Sequence, residues 1–376
     1  MTTVYRKALS TPGAARFVPA AFVGRFPIAM TSVGTVLYVQ AETGSYGVGG
    51  AVAAACAAGE ALVAPRLGRA LDRFGQAPVL LVCLVGHLLG LGGLIGLVAV
   101  DAPRPLWFAA AVLTGAMLPP VGACVRARWS ALLDDSRLLG GAFALESALD
   151  ELVFILGPTL VTLLSVLVAP AAGLIASGLL LAAGTLALAS QRATDPGPRR
   201  GASRARAHML RRPGTRALVV IFFAIGAAFG GVDVSMVAFA REEGLAAVGG
   251  VLLGLFAGGS GVAGLIYGAR RHSRPLPSRF LVSTLVMAVG MCLPLAGVTV
   301  PLMIPLAILA GSTIAPTLIN GNALINHLVD EKARTEGFTW LTTAVMAGSA
   351  IGAPLAGRLI DADGAHRGLL VTAGAG

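Results

Sequence analysis

Glu146 and Asp150 stand four residues apart in a run that is otherwise almost wholly apolar, and Glu151 follows directly. On a helix the first two share one face, while Glu151 is turned about 100° away. An ionisable side chain at bilayer depth costs at least about 2.5 to 3.5 kcal/mol, so each one inside an apolar run is a candidate for function. Two carboxylates on one face of a buried helix can trade a proton near neutral pH, which is what a proton-coupled carrier needs. The competing reading is a static network in which Arg25 or another arginine neutralises both. Arg25 lies about nine residues into the first apolar run and Glu60 about seven from the end of the second. Those depths suit an ion pair between them, as structure or in a substrate or proton role. Asp233 and Arg358, in two later runs, are expected to meet at an external gate.

The elements that carry these residues must be membrane helices. The chain is 56% hydrophobic and 12% charged, with a mean hydropathy of +0.82, far from the balance of a soluble domain. The net charge of +10 sits in short loops between apolar runs, not on one polar face, which argues against nucleic acid as a partner. Cys56, Cys83, Cys124 and Cys292 all fall inside apolar runs, so neither a disulfide framework nor a metal site is expected. The first apolar run is too long for a signal-peptide core and is read as a retained span.

With about 20 apolar residues needed per crossing, eleven full spans and the start of a twelfth are counted. The first six run roughly 17–40, 47–67, 77–100, 106–125, 140–168 and 171–191. The second six begin near Ala217, Leu245, Phe280, Leu302, Phe338 and Gly368, and the last is expected to be truncated. The stretch from Gly115 to Pro158 returns at a constant spacing: Gly115 answers to Gly311, Pro120 to Pro316, Gly141 to Gly337 and Pro158 to Pro354. Two homologous halves in tandem follow, with residues 1–191 as the first, 192–216 as a basic linker and 217–376 as the second. Glu146, Asp150 and Glu151 face Thr342, Met346 and Ala347 in that register, so the scaffold repeats and the acids do not.

Of the 28 Lys and Arg residues, 23 fall at the N-terminus, in the linker and in the loops on that side, against Arg104, Arg241 and Arg367 on the other. The positive-inside rule then makes the N-terminus and linker cytoplasmic. The linker reads as a flexible tether that touches anionic lipid. Small residues every four positions, Gly250 with Gly254 and Gly258, Gly348 with Gly352 and Ala356, and Gly86 with Gly90, are expected to be helix-packing faces.

Between the second and third spans lies Gly68-Arg69-Ala70-Leu71-Asp72-Arg73-Phe74-Gly75-Gln76. With this loop at this place among the spans, the chain resembles the major facilitator superfamily, whose motif here is G-x-x-x-D-[RK]-x-G-[RK]-[RK]. Gly68, Asp72, Arg73 and Gly75 match, while Gln76 and Ala77 replace the basic pair. The resemblance implies an all-α membrane fold of twelve helices in two six-helix halves, working by alternating access. It implies a cytoplasmic gate at Asp72 and Arg73, with Arg126 and Arg128 as partners at the end of span 4. In the second half the matching loop, Gly268-Ala269-Arg270-Arg271-His272, puts His272 where the aspartate would be. Gly157 and Pro158 match the core of a span-5 motif of the family's drug/proton antiporters, and would kink the helix.

A secondary transporter is therefore expected, with its substrate near the midplane. The cavity candidates are Arg25, Thr31, Met117, Asp233, Asn320 and Asn322. With only three Trp and four Tyr, a small, largely apolar or cationic compound fits better than a sugar. Proton-driven export from the plasma (inner) membrane by a monomer is the leading expectation, and uptake of a metabolite by symport the alternative. No cofactor is expected, and neither an embedded enzyme nor an ATP-driven pump has its motifs here.

Overall fold

The computed structural model describes residues 2–198, 212–245, 248–270 and 272–376. Helices and short 3-10 turns make up all its regular structure, with no strand among the described residues. A short helix, Thr2–Leu9, precedes the spans. Span 1 is Ala14–Thr43, span 2 Tyr46–Phe74, span 3 Gln76–Ala99, span 5 Ser136–Leu167 and span 6 Ala172–Ser190. Span 4 comes in two pieces, Arg104–Ala116 and Val121–Leu132. In the second half, span 7 is Pro213–Glu242, span 8 Val248–Ala269 and span 9 Leu276–Cys292, with a 3-10 turn at Leu293–Ala296. Span 10 is again split, into Val300–Ser312 and Ile314–Leu328; Arg334–Asp363 is span 11 and Ala365–Ala375 span 12. Eleven crossings are long and apolar enough for a membrane, so this is a multi-pass integral membrane protein.

The breaks have a local cause. Pro119 and Pro120 lack an N–H and push the residue before each out of the helical region, which ends the first piece of span 4 at Ala116. Pro316 cannot donate to the carbonyl of Ser312, where the first piece of span 10 stops. Span 5 in contrast runs unbroken through Gly157 and Pro158, with Gly157 set against Ala29 of span 1.

The repeat is visible in how helices touch. A Cβ on Gly115 of span 4 would strike the backbone carbonyl of Cys56 in span 2, and one on Gly59 of span 2 would strike that of Val112. In the second half, Gly311 meets the carbonyl of Phe256 and Gly259 that of Ile308, between spans 10 and 8. Backbones this close admit only glycine, and dispersion between them replaces the hydrophobic drive that lipid does not supply. Gly86 and Gly90 pack on Met117 and Thr114 of span 4, and Gly348 and Gly352 on carbonyls of Phe223 and Ala227 in span 7. The third expected packing face differs: Gly250, Gly254 and Gly258 meet nothing within 4 Å.

That open stripe is one end of a larger asymmetry. Among the described residues, the hydrogen bonds, ion pairs and ring contacts joining the two halves lie on the face that carries the N-terminus. They include the Tyr5 hydroxyl donating to the Leu265 carbonyl, an Arg334 guanidinium donating to Ser130 O at 3.1 Å, and Phe143 edge-on to Phe338. Among the described residues the halves meet on the N-terminal face, while the Gly250, Gly254 and Gly258 stripe beyond it meets nothing within 4 Å.

Candidate transport site and gate

Four charged side chains from spans 1, 4 and 5 form one network. Arg25 donates through Nη2 to Glu146 Oε2 and through Nη1 to Asp150 Oδ1, both at 2.6 Å. Its Nε donates to the Ala21 carbonyl one turn back, which aims the guanidinium fork at span 5. Asp150 takes a second arginine, Arg126, at 2.6 Å, and Glu146 takes the Trp129 indole at 2.8 Å. Arg126 and Trp129 are three apart on the second piece of span 4 and so share a face. Phe17 stands edge-on to Trp129 at 4.8 Å and closes the apolar side. Two cations meet two anions, so the cluster is neutral; Arg25 and Glu146 are buried, while the Asp150 side chain keeps 29% exposure. Arg25 is thus paired with span 5 and not with Glu60, because two carboxylates of span 5 take both ends of its fork.

The remaining mid-depth acids stand alone. Glu60 is half-buried beside the Gly115 contact, and Asp233 is exposed on span 7. Glu151 lies against Gly261 and beside Ser260 of span 8. None of the three has a cation partner among the described residues. Asp233 and Arg358 are both exposed and form no ion pair, in place of the expected external lock.

The other cavity candidates are engaged by protein. Asn320 donates to the Tyr267 hydroxyl at 2.8 Å and to Ser283 Oγ at 3.2 Å, tying spans 8, 9 and 10. Asn322 returns its amide to Leu318 O in its own helix, Met117 lies on Gly86, and Thr31 meets Ser177 of span 6 at 3.3 Å.

At the N-terminal face Asp72 accepts from the backbone N–H of Glu336 at 2.9 Å and of Thr335 at 3.2 Å, the first turn of span 11. A carboxylate there meets unsatisfied amides and the positive end of the helix dipole. Gly68, one turn earlier, faces Thr339 and Glu336 so closely that a Cβ would fall 2.7 Å from Thr339 Oγ1. Arg69 Nε adds an ion pair to Glu336 at 3.3 Å. The expected arginine partners of Asp72 are elsewhere. Arg126 belongs to the Asp150 network, and Arg128 donates to Gln76 Oε1, Thr194 Oγ1 and the carbonyls of Leu188 and Gln191. Arg73 is exposed, its guanidinium 4.9 Å from the Phe74 ring.

Gly75 adopts φ +87°, a conformation open to glycine, and starts span 3 in a sharp turn. Asp195 of the linker caps that start by accepting from Gln76 and Ala77 N–H at 3.2 and 3.3 Å. Gln76, at the motif's basic position, turns inward to Arg128 and the Cys124 carbonyl. His272 does not reach span 5. It bonds the Tyr267 carbonyl at 3.0 Å and lies over that ring at 4.2 Å, and burial with Arg279 and Arg270 nearby holds it below the usual histidine range. Arg271 and residues 199–211 of the linker lie outside the described residues.

Twelve spans in two repeated halves, a charged network in one half and a carboxylate cap between halves define a polytopic carrier-type bundle. A family model, Major Facilitator Superfamily, matches residues 17–339. The chain belongs to the Major Facilitator Superfamily, and it is a transporter, not an enzyme. No sequence relative among curated proteins matches it. Among solved structures it is similar to a bacterial homologue of the iron transporter ferroportin in an outward-facing state, at 14% identity and TM-score 0.72, with 96% of each chain covered. The E. coli fucose:proton symporter FucP is similar at 13% identity and TM-score 0.71, over 96% of this chain and 95% of that one. The human organic anion transporter MFSD10 (TETRAN) is similar at 16% identity and TM-score 0.66, over 100% of this chain and 96% of its own. At such identities these likenesses speak for the fold.

Proposed function

We propose that this transporter exports a small, largely apolar or cationic organic compound in exchange for protons, across the plasma (inner) membrane and as a monomer. In this reading the N-terminal face is cytoplasmic, as the arginine distribution argues, and the conformation is outward-open. Residues 1–191 and 217–376 rock about the linker 192–216. The observation that carries the reading is the charge balance at mid-depth. Both arginines there, Arg25 and Arg126, are held by Glu146 and Asp150, which leaves Glu60, Glu151 and Asp233 without a cation. A cleft with surplus carboxylates draws protons and cations and repels anions.

Asp150 is the coupling acid. It is the exposed end of the network, and a proton or a cationic substrate reaching it competes with Arg126 and Arg25 for the same two oxygens. Glu146, closed in by Arg25 and Trp129, keeps Arg25 in register. Asp233 is the first acid a cation meets from the open side.

The test uses purified protein in vesicles with a pH-sensitive dye inside, screened with lipophilic cations and neutral drugs under an imposed pH gradient. Substrate-dependent proton movement is expected in the wild type and lost in Asp150→Asn, with substrate exchange retained. Transport without proton movement would overturn the coupling and leave the fold standing.

A further inference from the structure

The contact between spans 5 and 8 ends at a carboxylate. Moving away from the N-terminal face, Gly141 and Ala144 of span 5 pack on Gly268 of span 8, and then Glu151 packs on Gly261, its Cβ and Cγ 3.9 Å from where a Cβ of that glycine would lie. One turn further the two helices have parted, since Gly258, Gly254 and Gly250 meet nothing within 4 Å. Beside Glu151 is Ser260, whose buried hydroxyl is within reach of the Glu151 carboxyl.

No cation compensates Glu151. Span 8 has no charged residue between Val248 and Ala269, and its one titratable group is Tyr267, placed near the N-terminal face. Span 6 has no ionisable side chain between Ala172 and Ser190. Span 1 offers Arg25 and the second piece of span 4 offers Arg126 and Arg128, all bonded elsewhere. The facing piece of span 10 holds only His327, exposed at its far end, and Asp150 on span 5 itself is a like charge. An ionised Glu151 at this interface is a half-buried charge with no cation and another anion beside it, and a proton removes that cost. The Ser260 hydroxyl beside it can donate to the carboxylate or accept from the protonated carboxyl, so it serves both states, and the missing cation is what favours the proton.

We propose that Glu151 is a proton-binding site that gates the seam between spans 5 and 8, protonated while the halves meet on the N-terminal face and ionised once that face opens to water. The carboxylate takes its proton from water on the open side; the proton leaves to water on the N-terminal side when the seam parts. Glu151 thus links proton occupancy to the rocking step, a role distinct from substrate competition at Asp150. The proposal rests on the proton-coupled reading above.

The test is the distance between spin labels at two exposed positions that flank the seam, Arg137 in the first turn of span 5 and Ser273 in the loop after span 8, in the full chain in lipid nanodiscs from pH 5 to pH 8. Two other groups near this face fall outside the transition: burial pushes the Tyr5 hydroxyl up to about 12, and His272 is held below the usual range. His327→Gln and His208→Gln in the background remove the other histidines of the loops and linker on that side. The wild type is expected to show a long-distance population that grows at least tenfold as pH rises. Glu151→Gln is expected to show the short distance alone at every pH, and Glu151→Asp to keep the transition. A Glu151→Gln protein with the wild-type pH dependence overturns the proposal. Parallel dye measurements separate the two readings. A pH-dependent seam without substrate-driven proton flux sinks the exchange mechanism alone, and flux with an unchanged seam in Glu151→Gln sinks the gate alone.

Discussion

Arg25 holds two carboxylates of span 5 with one planar fork, and its own Nε is fixed by the Ala21 carbonyl. Removing one member of a buried ion pair leaves the other charge desolvated, which costs about 3 to 5 kcal/mol. Arg25→Gln should therefore lower thermal stability by that order and strand Glu146 with the Trp129 indole alone. Arg25→Lys keeps a charge but loses the fork, so it should recover only part of the loss. The unfolding temperature of the purified protein checks both, and an unchanged value for Arg25→Gln would show that the network is not holding spans 1 and 5 together. Depth along the membrane normal can be counted from the chain, and that count set Arg25, Glu60, Glu146 and Asp150 well inside their helices, where the structure has them. Which way each helix turns them depends on packing, and there the expected Arg25–Glu60 pair gave way to span 5. Trp129 carried a signal that went unread, its three-residue spacing from Arg126.

The helices were legible where their pattern is local. Apolar runs marked eleven crossings, and the recurrence of Gly115 at Gly311 marked two glycine contacts that the structure makes in the same way in each half. Less legible were the helix starts, because three of them are capped by acids distant in the chain: Asp195 on span 3, Asp72 on span 11 and Glu242 on span 12. Asp72 also joins the halves, so its loss should act on the conformational equilibrium more than on folding. Asp72→Asn keeps one acceptor and loses the charge at the helix N-terminus, a change of about 0.5 to 2 kcal/mol. That corresponds to a shift of roughly twofold to thirtyfold toward the state open on the N-terminal face. Thr339→Cys, buried against Gly68, reports it: labelling by a membrane-impermeant thiol reagent should speed up by that factor in the Asp72→Asn background. Equal labelling rates would mean that Asp72 is a helix cap and no latch. Gly68→Ala should act in the same direction, since its Cβ would push on Thr339 and the Glu336 backbone.

At the scale of the whole molecule, one seam is shut and its continuation is empty. Spans 5 and 8 pack from Gly141 and Gly268 as far as Glu151 and Gly261, and beyond them span 8 presents Gly250, Gly254 and Gly258 to open space. A row of small residues at four-residue spacing is shaped for close helix approach, yet nothing approaches it in this conformation. The stripe is expected to be used in the other one. If the halves rock as proposed, span 5 should leave Gly268 and settle on this row, with Glu151 and Gly261 as the pivot. A bulky residue at Gly254 then discriminates between the states. Gly254→Leu meets no atom within 4 Å here and replaces a poor helix former, so the stability of the present conformation should hold or rise by about 1 kcal/mol. The same side chain in the closed seam would overpack it, at about 1 to 3 kcal/mol or more. Substrate binding from the open side should survive, while transport falls at least several-fold and labels at Arg137 and Ser273 stay close at every pH. A Gly254→Leu protein that transports at the wild-type rate would mean that the stripe faces lipid in both states, and the pivot would have to be sought between spans 2 and 11 instead.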